Sequence, residues 1–167
     1  MADDNLNTAA GCCFSLGGKT GADTEADYTK DIYVEVGEIE DLGEFGDTFS
    51  SVAFKSLRDG RVRKYKGTAD AGDLTLVVGL DNGDPGQRAV KRAHKDRAKG
   101  DYNLKITLND GDPDAAPAVL PTTFYMRGKV MNNTVAPGAA DNVVRRNITI
   151  GINSDILEIE AGPAPSN

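Results

Sequence analysis

The chain has 167 residues, 39% of them hydrophobic, with nineteen glycines, no tryptophan and a formal net charge of −7. That length suits one domain with a real core, removing about 70% of the unfolded surface from water. The acidity opposes a general affinity for nucleic-acid phosphate, no apolar run approaches the ~20 residues that cross a bilayer, and the N-terminus lacks a secretion signal's basic flank and apolar core. No membrane partner is expected.

Residues 1–30 mix Ala, Gly, Asp, Asn and Thr with little apolar periodicity and read as a flexible N-terminal arm. Within them, Cys12 and Cys13 are adjacent, so a mutual disulfide is strained, and no third cysteine exists to pair with either. A reducing compartment and two inert thiols are the expectation. Gly17-Gly18-Lys19-Thr20 invites a phosphate-loop reading, yet Cys13 stands where the first glycine of that motif belongs and no apolar strand precedes it.

Residues 31–160 read as the folded domain. Strands are expected at Asp31–Ile39, Thr48–Leu57, Val62–Lys66, Asp73–Leu80, Tyr102–Asn109, Thr122–Asn132, Val143–Ile152 and Ile156–Ile159, from period-two alternation bounded by turn residues. Leu74, Leu76, Val78 and Leu80 share one face, and Asp59-Gly60 is a hairpin signal. One helix is expected. Asp84 caps it, Pro85 takes the first helical position, Gly86–Lys99 forms the body and Gly100 the left-handed stop; Ala89, Val90, Ala93 and Arg97 form its buried stripe. Residues 161–167, Ala-Gly-Pro-Ala-Pro-Ser-Asn, cannot continue a strand and read as a flexible tail. The expected class is mainly β, an antiparallel sandwich or barrel-forming subunit of about eight strands with one flanking helix.

Catalytic constellations are not found. His94 is the one histidine and lies in the basic helix, no serine sits in an elbow motif, and 26 acids are too many to nominate one pair for acid–base work. Asp110, Asp112 and Asp114 have calcium-loop spacing, but Ala115 and Pro121 stand where glycine and glutamate are needed, so an acidic turn is expected. Neither enzyme activity nor a cofactor or metal is expected. The helix holds six Lys/Arg against three acids from Asp84 to Asp101, its nucleic-acid signal being opposed by the chain's overall charge.

Several ordered segments resemble the tail tube proteins, or major tail proteins, of long-tailed, non-contractile bacteriophages. They are Asp41-Leu42-Gly43-Glu44-Phe45-Gly46-Asp47, Val52-Ala53-Phe54, Leu57-Arg58-Asp59-Gly60-Arg61, Lys64-Tyr65-Lys66-Gly67-Thr68 and Asp70-Ala71-Gly72-Asp73. Further on come Asp84-Pro85-Gly86-Gln87, Gly128-Lys129-Val130 and Asp141-Asn142-Val143-Val144-Arg145. The resemblance implies a ring, usually a hexamer, whose inner sheets join into a barrel and whose rings stack into a tube. It implies a virion protein, assembled in the host cytoplasm, through which phage DNA passes without specific binding. Its implied partners are further copies of itself, the tape measure, the tail tip and the tail terminator. The alternatives are a ring protein like that of type VI secretion and a monomeric β-sandwich binding module.

Charge is segregated along the chain. Residues 3–47 hold twelve acids and two lysines, whereas Lys55–Lys66 hold six cations and one acid. If these regions project from opposite ends, copies attract head to tail. Stacking is therefore placed on Glu38, Glu40, Asp41, Glu44 and Asp47 against Arg58, Arg61, Arg63, Lys64 and Lys66, and the family resemblance places subunit packing on Gly67, Asp70, Gly72 and Asp73. An acidic lumen is also expected, since it would repel passing DNA.

Overall fold

A computed structural model describes residues 6–164, so the first five residues of the expected arm and the last three of the expected tail lie outside the described residues. In chain order the elements are β1 (Cys13–Leu16), α1 (Glu25–Thr29), β2 (Val34–Glu35), β3 (Ile39–Asp41), β4 (Thr48–Lys55), β5 (Val62–Asp70) and β6 (Asp73–Gly79). Then come α2 (Pro85–Lys95), β7 (Tyr102–Thr107), β8 (Val119–Leu120), β9 (Thr123–Ala136), β10 (Arg145–Ile152), β11 (Leu157–Ile159) and β12 (Gly162–Pro163). The fold is mainly β and antiparallel, as expected.

The principal sheet runs in the order β2-β1-β7-β9-β10-β6-β3, with β11 paired to β9 off that path. Its two edge strands are neighbours in sequence. Only residues 36–38 separate β2 from β3, and a chain that short spans no more than about 14 Å, so the sheet has to curl into a half-barrel. The crossing is fastened on both sides: the Val36 amide donates to the Phe14 carbonyl at 2.9 Å, and the Gly79 amide to the Glu38 carbonyl at 2.8 Å.

Inside the curl, alternate residues of each strand meet. Phe14, Leu74, Leu76, Val78, Leu104, Ile106, Met126, Ile148 and Ile150 are fully buried, and Val90 and Ala93 of α2 close the core from above. Each such side chain contributes about 1.5–3 kcal/mol by leaving water. A smaller apolar cluster lies on the outer face, where Tyr28 of α1 stacks on Tyr125 of β9 with ring centroids 5.2 Å apart.

Helix α2 starts as expected, with the Asp84 carboxylate accepting from the Gln87 amide at 2.7 Å and Pro85 at the first helical position. It ends at Lys95, four residues before the expected end. Asp96 turns extended, and its carboxylate accepts from the Ala98 amide at 2.8 Å, from the Tyr102 hydroxyl at 2.8 Å and from the Lys19 ammonium. Arg97 is thus outside the helix, and the buried stripe is Gly86, Gln87, Val90 and Ala93.

Other expectations are corrected in the same way. The described residues hold twelve strands and two helices, not eight and one, and Asp31–Ile39 is broken at the crossing. Cys13–Leu16, assigned to the arm, is strand β1 of the sheet with Phe14 fully buried. Gly162–Pro163, assigned to the tail, pairs with Leu120 and Val119.

Candidate assembly surface

Strands β4 and β5 form a two-stranded ribbon that belongs to neither other sheet. Every residue of β4 is exposed, and in β5 only Gly67 is partly covered. The strands expected from sequence are present, but nothing among the described residues covers them. Val52 pairs with Tyr65 and Phe54 with Arg63 on one face, whereas Ser51 pairs with Lys66, Ala53 with Lys64 and Lys55 with Val62 on the other. One face is therefore mostly apolar and aromatic, with Arg63 among it, and the other mostly cationic, with Val62 among it. Lys66 also lies over the Phe49 ring, 4.5 Å from its centroid.

An isolated two-stranded ribbon is at best marginally stable in water, and one carrying Phe49, Val52, Phe54, Val62 and Tyr65 about half exposed is an aggregation hazard unless a partner covers it. Its tip, Ser56–Arg61, is a turn closed by the Gly60 amide donating to the Ser56 carbonyl at 3.0 Å, with Gly60 at φ +63°. Leu57 is fully exposed there.

The residues singled out from sequence divide between tip and foot. Arg58 and Arg61 are at the tip, Arg63, Lys64 and Lys66 along the shaft, and Glu44 and Asp47 at the foot, with the eight-residue strand setting about 26 Å between the ends. Glu44, Phe45, Gly46, Asp47, Thr48, Ala71, Gly72 and Asp73 line a cavity of about 400 Å³ at that foot. Glu38 and Asp41 lie on the crossing and on β3.

Two of the assigned charges are satisfied within the chain. Arg145 grips Glu40, with one guanidinium nitrogen 2.8 Å from Oε1, and this hydrogen bond holds the Glu40 carboxyl below its ordinary range. Arg63 is 2.7 Å from the Asp59 carboxylate, whose pKa is lowered first by the Arg61 amide.

The four residues assigned to packing from sequence shape the ribbon itself. Gly67 faces Ser50 and Val52 so closely that a Cβ would meet the Ser50 side chain. Asp70 accepts from the Gly72 amide at 2.9 Å and Gly72 takes φ +69°, which turns the chain into β6 at Asp73.

Sequence reasoning missed a second feature, the open edge of β9. Strand β7 stops at Tyr102 opposite Gly128, so from Lys129 onward β9 is paired only by β10 among the described residues. Met131 and Val135 are exposed along that edge. Beside it on the outer face, Thr75, Val77, Asn147, Thr149, Asn132 and Thr134 form an uncharged patch, bounded by Arg145 at one end and by Lys129 and Asp73 at the other. The signal was the length of the Thr123–Ala136 pattern compared with its six-residue neighbour β7.

The remaining motifs are structural. The Gly18 amide and the Asn103 side-chain amide both donate to Asp31 Oδ2, at 2.7 and 2.8 Å, and Lys19 is held by Asp96, which leaves the Gly-Gly-Lys-Thr loop locked onto the sheet. Asp110 accepts from the amide and hydroxyl of Thr122, and Asp112 from the Asp114 amide at 3.0 Å. Among the described residues, no helix is long and apolar enough to cross a membrane.

No family model and no curated protein sequence matches the chain. Solved structures do. A chain of the PVC sheath/tube terminator of an extracellular contractile injection system superimposes with TM-score 0.67 at 12% identity, covering 95% of this chain and 99% of that one. A chain of the PVC sheath–tube complex gives 0.61 at 11% identity, covering 95% of each. A chain of the anti-feeding prophage baseplate gives 0.60 at 15% identity, covering 93% and 98%. At these identities the likeness is one of fold, and it spans nearly the whole chain: this protein has the tail-tube-type fold found in such injection assemblies.

Proposed function

We propose that this protein is the structural subunit of a hollow tail tube, in which copies close into rings and rings stack. The observation that carries this reading is the exposed β4–β5 ribbon, an element whose apolar face has no cover among the described residues. A second copy supplies that cover, and the open β9 edge offers backbone donors and acceptors to a neighbouring strand. Because ribbon and edge are different surfaces, the contact is heterologous, which closes into a ring or continues as a filament according to its rotation.

The fold it shares with parts of contractile injection systems supports the tube class, and the sequence resemblance to non-contractile phage tail tubes adds the finer assignment. On that assignment the ring is hexameric, the tube belongs to a phage particle, DNA passes through it, and tape measure, tail tip and tail terminator proteins are its neighbours. Its role is architectural and not catalytic. The uncharged patch of Thr75, Asn147, Thr149, Asn132 and Thr134 offers a polyanion little to bind and so suits part of a wall that it slides past.

The test is the mass of the protein in solution as concentration rises. Ring-sized species that lengthen into stacks support the reading, and a monomer at every concentration removes it.

A further inference from the structure

Helix α2 carries a set of charges that the tube leaves unused. Lys91, Arg92 and Lys95 are exposed along its outer side, and Lys99 extends the patch past its end; none has an acidic partner among the described residues. Three acids near the helix are engaged elsewhere. Asp84 caps the helix, Asp96 is held by Lys19 and Tyr102, and Asp101 lies 3.7 Å from Lys129. In a chain of net charge −7, this is a cationic island with no internal counterpart.

We propose that the outer face of α2 is a docking surface for an acidic polypeptide segment of a protein other than this chain. The exclusion of a second copy rests on the tube reading, in which the free acids at the ribbon foot face the ribbon tip of the neighbouring ring. Duplex DNA fits less well. The cations span a helix of only 11 residues, about 16 Å, with Asp84 at one end and Asp96 and Asp101 at the other. A long polyanion has to run across those carboxylates and an acidic body, whereas a short acidic segment meets only the island. Lysine and arginine at positions i, i+1 and i+4 present ammonium and guanidinium groups together, and opposite charges across such a contact set its association rate and salt dependence.

The experiment uses the full chain and a fluorescent octaglutamate peptide at low and physiological salt, with a short DNA duplex in parallel. Wild type binds the peptide, and more weakly as salt rises. The variant K91Q/R92Q/K95Q loses affinity by about tenfold or more, and R58Q/R61Q/K64Q, which removes as many cations from the ribbon, keeps it. The helix variant also assembles as wild type does.

Equal peptide binding by the helix variant, or tighter binding of the duplex than of the peptide by wild type, overturns the proposal. Loss of assembly in the helix variant overturns it too, by making the face a contact between copies. A wild type that never assembles yet loses peptide binding with K91Q/R92Q/K95Q would remove the tube reading and leave this surface standing.

Discussion

Val52 and Tyr65 face each other across the β4–β5 ribbon, 53% and 55% exposed, and nothing else among the described residues lies over them. Because they are exposed in the subunit, their replacement has little to remove from the fold. The double variant Val52→Ser, Tyr65→Ser is expected to stay within about 0.5 kcal/mol per site of wild-type stability while losing assembly. Denaturant unfolding of the subunit, paired with its sedimentation at high concentration, checks both halves. A variant that assembles normally would show that this face is not a contact.

The cations at the tip and along the shaft of the same ribbon give an independent prediction. Arg58→Glu, Arg61→Glu and Lys64→Glu together are expected to weaken stacking while the subunit remains folded, and Glu44→Lys with Asp47→Lys in the same chain to restore it in part. Tube length measured against salt is the readout, since exposed charges are screened. Normal tubes from the first variant would remove the charge-complementarity argument.

At the crossing between β2 and β3, Gln87 donates through Nε2 to the Gly79 carbonyl at 2.8 Å and accepts from the Asp81 amide at 3.2 Å. Gln87 is 3% exposed, so Gln87→Leu leaves buried backbone groups unpaired at a cost of about 1–3 kcal/mol. Gly86→Ala is expected to destabilise by a similar amount, about 1–3 kcal/mol, because its Cβ would run into the Glu35 carbonyl and Val36. Urea midpoints measure both, and an unchanged midpoint for either would mean the crossing does not hold the half-barrel shut.

What was legible in the sequence followed from local chemistry. Asp84-Pro85 marks a helix start through its own cap, Leu74 to Val78 alternates over enough residues to define a face, and Asp59-Gly60 sets a turn. What was not legible depended on distant partners. The helix end is set by Lys19 and Tyr102 meeting Asp96, and β1 is four residues that become a strand only by pairing with β7. The ribbon is the instructive case, since alternation states which residues share a face but not what, if anything, covers it.

Acid should release the clasp at the end of α2. The Lys19 ammonium, with the Ala98 amide and the Tyr102 hydroxyl, holds the Asp96 carboxyl far below the usual carboxylate range. A carboxyl depressed by folding stabilises the protein above its unfolded pKa of about 3.9, and that contribution is lost as pH falls through this value toward the folded one. Wild type is therefore expected to lose thermal stability more steeply than Asp96→Asn between about pH 4 and pH 2. Parallel curves would show that the clasp contributes nothing.

The most direct test is negative-stain electron microscopy of the purified full chain at high concentration, with hydrogen exchange of the β4–β5 ribbon followed at the same concentrations. The account predicts hollow rings or stacked tubes, and ribbon amides that become protected as they form. Single particles at every concentration, with ribbon amides exchanging freely throughout, would contradict it.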